Sequence, residues 1–407
     1  MLAAAFLSSL LGLAAPPALA FRRPKVSAKA AIVIDGTTGQ ILYAKNIHEH
    51  LPMASTTKMM AATVALEHGR LSDIVEVSKK AADTGGSSMY LEPGEKLTFK
   101  QLLYGMLLVS GNDATEAVAE YISGDPKKFV ALMNQKAQEL GLHDTHYVTP
   151  HGLPAAGHYS SAYDLAMIAR YAFKNPVFAK ITDTRVKVLP GNDRIPHRIL
   201  VNHNRLLRYF PGALGGKTGY TIAAGKCFVG SAERNGRFVI EAILNDRACW
   251  VDAANLLNYG LDDFKSEPIA AAGQVIASVP VKGGTQASEH AVLQDAVDLS
   301  VRRGGRRPDV QATFHMIPEL TAPVQSGEIL GRYQLREGDR LIAEAPLVAA
   351  DSIPVAPPVW GQVGAAFAWF LKGGALSVAL FSVFRLRGLR RRSRRQRVRK
   401  TYKAVGL

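Results

Sequence analysis

Three short motifs constrain the fold most, because groups from distant parts of the chain have to meet before the motifs can act together. They are Ser55-Thr56-Thr57-Lys58, Ser110-Gly111-Asn112 and Lys217-Thr218-Gly219. Each motif pairs a hydroxyl group with an amine or an amide, and together they hold the groups needed for acyl transfer through a serine ester. One such motif arises often by chance, whereas all three in this order are a strong signal of that chemistry.

The hydrophobic pattern predicts strands at both ends of residues 27–263 and helices between them. The predicted strands are Ala30–Asp35, Gln40–Lys45, Gly215–Ser231 and Arg237–Leu244, with a hairpin turn at Asn235-Gly236. The predicted helices are Ser55–His68, Lys100–Val109, Ala114–Ile122, Pro126–Leu140, Ala162–Phe173 and Trp250–Leu261. The first helix is apolar nearly all round, which indicates a buried, central position. This order predicts an α+β domain whose mixed sheet is covered by helices.

The pattern changes between residues 264 and 351 to short strand-like runs separated by glycines. Val275–Val281 and Ala291–Val297 are two of these runs. Such a pattern predicts a small all-β domain. Residues 352–358 contain Pro354, Pro357 and Pro358, which predicts a stiff linker after that domain.

The net charge of +15 suggests a nucleic-acid partner, but the position of the charge argues against one. Eleven Lys and Arg residues and no acidic residue lie between Arg385 and Lys403. Residues 359–384, just before this tail, carry one charge and would form a helix of about 39 Å, enough for a ~30 Å bilayer core. We therefore predict a transmembrane segment at 359–384 and a basic cytoplasmic tail at 385–407. Interfacial helices or a disordered tail remain alternatives.

The amino-terminal residues and the cysteines bear on the compartment. Residues 1–20 contain an apolar run and end in Ala18-Leu19-Ala20, which predicts a cleaved signal peptide, with an uncleaved anchor as the alternative. Cys227 and Cys249 are the only cysteines, and their spacing favours two buried free thiols over a disulfide or a zinc site. We expect no metal, since the histidines lack the spacing of helical ligands, and no cofactor.

The first motif predicts a nucleophile and its base. Ser55 and Lys58 are three residues apart, so on a helix the amine reaches the hydroxyl group. Serine is a poor nucleophile until a base removes its proton. Lysine can be that base when burial or a nearby cation lowers its pKa. The apolar helix supplies the burial, and Lys217 supplies the cation.

The other two motifs predict the surroundings of the nucleophile. Ser110 can relay a proton towards the leaving group, and the Asn112 amide can bind a substrate carbonyl. On the predicted strand, Gly219 allows a substrate backbone to lie close. The carboxylate of a substrate can be held by Lys217, Thr218 and Thr221.

The trio resembles the penicillin-binding and serine β-lactamase superfamily, whose motifs are Ser-x-x-Lys, Ser-x-Asn and Lys-Thr-Gly. Longer strings are similar to those of D-alanyl-D-alanine carboxypeptidases, the low-molecular-mass penicillin-binding proteins. These strings are Gly86–Leu91, Ser110–Ala114, His151–Leu153, Ser160–Ala166 and Lys217–Thr221. The resemblance covers about residues 27–351. It implies a β-lactamase/transpeptidase-like catalytic domain at 27–263 and a β-rich stem domain at 264–351.

The resemblance also implies roles for single residues. Ser55 is implied to be the acylated nucleophile and Lys58 its base, and the backbone N–H groups of Ser55 and Tyr220 the oxyanion hole. Tyr220 stands where the family often has histidine. The implied cleft and carboxylate-binding residues are Ser110, Asn112, Lys217, Thr218, Gly219, Thr221 and, by a looser match, Arg247.

The implied function is that of a serine-type D-Ala-D-Ala carboxypeptidase. It would remove the terminal D-alanine of peptidoglycan stem pentapeptides, bind β-lactams as inhibitors, and lie on the extracytoplasmic face of the bacterial cytoplasmic membrane. A DD-endopeptidase or transpeptidase keeps the same residues and remains an alternative. A class A β-lactamase is disfavoured, because no Glu-x-x-Leu-Asn string lies between Asn112 and Lys217. A non-catalytic wall-binding protein is disfavoured by the intact trio.

Overall fold

The computed structural model describes residues 23–192 and 196–357 of the chain. The predicted signal peptide, transmembrane segment and basic tail lie outside these residues. Within the described ranges, no helix is both long enough and apolar enough to cross a membrane.

The helices of the described chain commonly begin at a capping side chain. Thr98, Asp125, Ser161 and Asn175 each accept a hydrogen bond from a backbone N–H group in the following turn, which satisfies donors that a helix start leaves open. The helices are α1 (Lys58–His68), α2 (Lys79–Ala82), α3 (Phe99–Leu108), α4 (Asn112–Ser123), α5 (Pro126–Glu139), α6 (Ala162–Ala172), α7 (Pro176–Asp183), α8 (Leu206–Tyr209) and α9 (Cys249–Asp262).

The strands fall into a group before α9 and a group after it. The first group is β1 (Ala30–Asp35), β2 (Ile41–Lys45), β3 (Ile74–Glu76), β4 (Lys96–Thr98), β5 (Val186–Pro190), β6 (His197–Val201), β7 (Ala213–Thr221), β8 (Gly225–Arg234) and β9 (Arg237–Asp246). The second group is β10 (Phe264–Ala270), β11 (Val275–Lys282), β12 (Ser288–Leu293), β13 (Val297–Arg302), β14 (Gln311–Met316), β15 (Leu320–Thr321), β16 (Ile329–Glu337) and β17 (Arg340–Ala349).

A five-stranded sheet in the order β2-β1-β9-β8-β7 forms the centre of the part of the chain that precedes Phe264. Each pair of neighbouring strands is antiparallel, so the predicted mixed sheet is wrong. The reason is the connectivity: tight turns join β1 to β2, β7 to β8 and β8 to β9. No βαβ crossover, which a parallel pair requires, joins two neighbours in this sheet.

Both faces of the central sheet are covered by helices, as predicted. Ile32 and Ile240 belong to the apolar cluster that includes α1, whereas Val33 and Val239 belong to the cluster that includes α9. This division follows from the alternation of side chains along a strand. Helix α1 is buried from Lys58 to Ala65 and packs against α3, α4, α5 and α6, which confirms its predicted central position.

Two predicted strands and the first predicted helix differ from the structure in kind, whereas the other predicted elements differ from it by at most two residues at an end. The predicted strand Gly215–Ser231 is two strands, because Ala224 N–H donates to Thr221 Oγ1 (3.0 Å) and Gly225 adopts φ +64, which together close a hairpin turn. The predicted run Ala291–Val297 spans the end of β12 and the start of β13. The predicted helix from Ser55 begins as a 3-10 turn, Ala54–Thr57, and α1 proper starts at Lys58.

The described chain from Phe264 to the last described residue contains strands and loops and no helix, as predicted. The chain divides into two compact units, of which the first extends to Ala272 and includes Asp295–His315 and Arg332–Pro346. In the second unit β11 pairs antiparallel with β12 and, at Val281 and Lys282, parallel with β15.

Candidate active site

The candidate nucleophile lies in the 3-10 turn immediately before α1, the nucleophile turn (Ala54–Thr57). The turn is closed by its own hydroxyl groups, since Thr56 Oγ1 donates to Met53 O (2.7 Å) and Thr57 Oγ1 donates to Ala54 O (2.7 Å). Ala54 adopts φ +48, an uncommon left-handed conformation for a residue with a Cβ atom. Ser55 Oγ lies 3.0 Å from Lys58 Nζ, so the structure brings together the predicted pair.

Lys58 is fully buried, and its amine lies among three oxygen atoms. Nζ lies 2.7 Å from Asn112 Oδ1, 2.8 Å from His151 O and 3.0 Å from Ser55 Oγ. Burial holds the pKa of Lys58 well below its usual value, the charge of Lys217 lowers it further, and Asp113 acts in the opposite direction. A neutral amine has two N–H groups and one lone pair. In the neutral form, the two carbonyl oxygens can accept from these N–H groups, which leaves the lone pair for the Ser55 hydroxyl proton.

The second motif forms the tight loop between α3 and α4. Ser110 is buried with φ +64, and its Oγ accepts a hydrogen bond from Lys217 Nζ (3.0 Å). Asn112 begins α4 and uses both ends of its amide: Oδ1 accepts from Lys58, and Nδ2 donates to Gly85 O (2.7 Å). The loop therefore joins the first motif to the third.

The third motif lies on β7, as predicted. Lys217 is buried and donates to Thr218 O (2.8 Å) as well as to Ser110. Burial lowers the pKa of Lys217 to about 7. A Cβ atom on Gly219 would stand 2.9 Å from Met53 O and 3.0 Å from Ser55 N, so the missing side chain faces the nucleophile turn.

A pocket of about 420 Å³ opens at the junction of the three motifs. Of the predicted residues, Ser55, Ser110, Thr218, Gly219 and Tyr220 line it, together with Ser87, His203, Lys226, Cys227, Cys249 and Trp250. Thr221 instead lines a neighbouring pocket of about 310 Å³ behind the nucleophile turn. Arg247 lies past the end of β9, is exposed, and is not among the residues that line either pocket. Both cysteines are buried and free.

Two groups of the site were missed by sequence reasoning. One is the carbonyl oxygen of His151, which contacts Lys58 and Ser55; a backbone atom leaves no signal in residue type. The other is the buried carboxylate of Asp113, which accepts from the N–H groups of Met89 and Leu91 (both 3.1 Å). A charged residue beside Asn112 at the start of an apolar helix was the available signal. No cluster of side chains able to hold a metal ion is found in residues 23–192 or 196–357.

Comparison with known proteins identifies the family. A family model described as D-alanyl-D-alanine carboxypeptidase matches residues 18–248, and one described as penicillin-binding protein 5, C-terminal domain, matches residues 264–355. The chain belongs to the D-alanyl-D-alanine carboxypeptidase family. The predicted family and the predicted serine-type carboxypeptidase activity are thereby confirmed.

Individual relatives of this D-alanyl-D-alanine carboxypeptidase agree with the family model. D-alanyl-D-alanine carboxypeptidase DacF of Bacillus subtilis is 36% identical over 334 residues, which cover 80% of this chain and 86% of the relative. The crystal structure of penicillin-binding protein 5 from Haemophilus influenzae superimposes with a TM-score of 0.64 at 29% identity, covering 82% of this chain and 99% of that one. The crystal structure of D-alanyl-D-alanine carboxypeptidase DacD from Francisella tularensis superimposes with a TM-score of 0.62 at 28% identity, covering 86% of this chain and 100% of that one. The enzyme has the α+β penicillin-binding fold with a C-terminal all-β domain.

Proposed function

We propose that this carboxypeptidase removes the terminal D-alanine of peptidoglycan stem pentapeptides through an acyl-enzyme on Ser55. The observation that carries the proposal is the Lys58 amine, which is buried, held by two carbonyl oxygens and 3.0 Å from the Ser55 hydroxyl oxygen. Burial and the charge of Lys217 lower the pKa of this amine, which favours its basic form, and a base in contact with serine is what makes the hydroxyl a nucleophile.

In the proposed reaction, Ser55 Oγ attacks the carbonyl carbon of the penultimate D-alanine while its proton passes to Lys58. The C–N bond to the terminal D-alanine then breaks, and the leaving amine receives the proton that Lys58 took from Ser55, which makes the Lys58 amine neutral again. Ser110 is suited to pass that proton, because its hydroxyl group lines the pocket and accepts from Lys217. Water then attacks the carbonyl carbon of the ester while Lys58 takes one of its protons, and Lys58 passes that proton to Ser55 Oγ as the ester bond breaks.

The negative charge of the tetrahedral intermediate needs hydrogen-bond donors. We assign them to the backbone N–H groups of Ser55 and Tyr220, since β7 passes close to Ser55 N at Gly219. Each such donor contributes roughly 2.7–4 kcal/mol to the stability of the transition state. The remaining hydrogen of Asn112 Nδ2 is suited to a substrate carbonyl.

We assign the binding of the carboxylate of the terminal D-alanine to Lys217, Thr218 and Thr221. The buried ammonium group of Lys217 supplies the charge, and Thr218 lines the pocket beside it. Arg247 keeps a peripheral place in this proposal, because it is exposed.

Labelling with a fluorescent penicillin tests the nucleophile. Ser55→Ala should abolish the covalent adduct and D-alanine release, because within the described residues Ser55 supplies the only hydroxyl group in contact with the Lys58 amine. Ser87→Ala is the matched control, since it removes a second serine hydroxyl from the same pocket and should keep both activities. An adduct that survives Ser55→Ala would disprove the assignment.

Substrate chemistry distinguishes a carboxypeptidase from an endopeptidase or transpeptidase. A peptide with a free C-terminal carboxylate should react faster than the same peptide with an amidated C-terminus, and Lys217→Ala should remove that difference. Equal rates for both peptides in the wild type would argue for action on crosslinks.

The proposed location is the extracytoplasmic face of the cytoplasmic membrane. Its support is the sequence of residues 359–384 and 385–407, an apolar stretch followed by a basic tail.

High salt should leave a spanning protein in the membrane fraction and release an interfacial one, because salt screens only the headgroup attraction. Ile353 is buried and pairs with Val324, and Val355 pairs with Gly284, so these residues belong to the β-rich domain and not to the predicted linker. Truncation after Pro357 should therefore free the enzyme while its turnover of small peptides stays unchanged. Full-length protein found in the soluble fraction at low salt would contradict both forms of attachment.

A further inference from the structure

His158 lies behind the nucleophile turn, is buried, and has no part in the chemistry described above. Its Nε2 lies 2.9 Å from the hydroxyl oxygen of Thr57. Its Nδ1 accepts hydrogen bonds from the backbone N–H groups of Val148 (3.0 Å) and Thr149 (3.4 Å). The ring therefore connects a surface loop to the segment that carries Ser55.

These contacts determine the tautomer of His158. A nitrogen that accepts from a backbone N–H group carries a lone pair, so Nδ1 is unprotonated and the hydrogen of the neutral ring is on Nε2. The Thr57 hydroxyl hydrogen is already directed to Ala54 O (2.7 Å). Thr57 Oγ1 must then accept a hydrogen bond from His158 Nε2–H. Two successive hydrogen bonds therefore connect His158 to Thr57 and Thr57 to Ala54 O.

The acceptor at the end of this series of hydrogen bonds, Ala54 O, belongs to the same peptide group as the candidate oxyanion donor. The carbonyl group of Ala54 and the N–H group of Ser55 belong to one planar peptide and point in opposite directions. Holding the carbonyl oxygen towards Thr57 and His158 therefore turns the Ser55 N–H group the other way, towards β7. There Gly219 lies so close that a Cβ atom on it would stand 3.0 Å from Ser55 N.

The conformation of this peptide needs support from its surroundings. Ala54 has φ +48, a conformation that costs energy for any residue with a Cβ atom and persists only when neighbouring groups hold it. Gly152 packs against the same peptide, and a Cβ atom there would come within 2.0 Å of Ala54 O. Steric contact from Gly152 restricts the peptide, and its rotation is set by the hydrogen bond from Thr57, whose hydroxyl group is in turn held by His158.

We propose that His158 is a positioning residue that orients the oxyanion-hole N–H group of Ser55 through the Thr57 hydroxyl and the Ala54–Ser55 peptide. The proposal rests on the assigned roles of Ser55 as nucleophile and oxyanion donor. Since an oxyanion donor acts in the transition state, losing its orientation should lower the rate of acylation and leave the affinity for the ligand unchanged.

Two substitutions at His158 separate this role from simple packing. His158→Gln places an N–H donor where Nε2 was, whereas His158→Asn keeps an acceptor near Nδ1 and leaves no donor within reach of Thr57. With a fluorescent penicillin, His158→Asn should slow the first-order acylation step by ~10- to 100-fold, the range for a misplaced catalytic group. His158→Gln should acylate close to the wild-type rate, and both variants should keep the wild-type dissociation constant of the initial complex.

A second pair of variants guards against misfolding at position 158. Thr57→Val removes the hydroxyl group at nearly constant volume and should show the same loss in the acylation step, whereas Thr57→Ser keeps the hydroxyl and should not. Equal acylation rates within the His158 pair, or within the Thr57 pair if a His158 variant fails to fold, would overturn the proposal. Ser55→Ala tests the underlying assignment separately: if it still forms the adduct, the proposed function fails regardless of the result at His158.

Discussion

Gly219→Ala is a direct test of how closely β7 has to approach the nucleophile turn. The added Cβ atom would stand 2.9 Å from Met53 O, 3.0 Å from Ser55 N and 3.1 Å from Ala54 Cβ. Ordinary non-bonded contact begins near ~3.5 Å, so the strand and the turn must separate by about 0.5 Å. That displacement acts on both proposed oxyanion donors, because Ser55 N is on one side of the gap and Tyr220 N on the other.

The expected loss follows from the size of this displacement. Misplacing a catalytic group by ~1 Å costs about 100-fold in rate, so about 0.5 Å corresponds to roughly tenfold. We expect the second-order rate of acylation by a fluorescent penicillin to fall by that factor in Gly219→Ala. Gly85→Ala is the control, since a Cβ atom there meets no atom within 4 Å. Acylation of Gly219→Ala at the wild-type rate would refute the close approach as a requirement for catalysis.

Three further outcomes follow from buried charges. The ammonium form of Lys217, with its pKa lowered to about 7, is the form that binds a carboxylate, so KM for a free-acid peptide should rise as pH increases through that value while KM for the amidated peptide stays constant. Arg198→Met should lower the free energy of unfolding, measured with urea, by ~3 kcal/mol, because it leaves the Glu95 carboxylate without its buried partner. Lys79→Met, which breaks the exposed pair with Asp83, is the control and should lower that free energy by less than ~1 kcal/mol. Burial and neighbouring carboxylates raise the pKa of Glu241 well above its usual value, so the folded state binds this proton more tightly than the unfolded state does. The free energy of unfolding therefore decreases as pH rises above the pKa that Glu241 has in the unfolded state. The thermal stability gained by Glu241→Gln should therefore increase with pH, and a gain that is independent of pH would contradict this.

Sequence reasoning succeeded where local pattern or side-chain chemistry carries the information. The run Ala30–Asp35 was predicted with its observed bounds, and the hairpin turn at Asn235-Gly236 joins β8 to β9 as expected. The pairing of Ser55 with Lys58 followed from their spacing, which a 3-10 turn leading into a helix preserves as well as a helix does.

The features that sequence reasoning missed depend on distant contacts. The antiparallel order of the sheet depends on β1 pairing with β9. These strands lie far apart in the sequence, so no local pattern predicts that they pair. The role of the His151 carbonyl depends on a loop meeting α1 in space, and backbone atoms carry no sequence identity. Gly219 was expected to make room for substrate, a role that remains a prediction, whereas the structure shows that its missing side chain makes room for the nucleophile turn.

The position of β1 beside β9 bears on when the enzyme becomes reactive during folding. Ala30 pairs with Leu244, so the central sheet joins two segments from opposite ends of the catalytic domain. Pairings of such high sequence separation form slowly, because a long loop must close before any contact stabilises it. In a chain that lacks β9, β1 pairs only with β2, and no strand connects β7 and β8 to this amino-terminal pair. We therefore expect the penicillin adduct to form during refolding only once the whole sheet is complete.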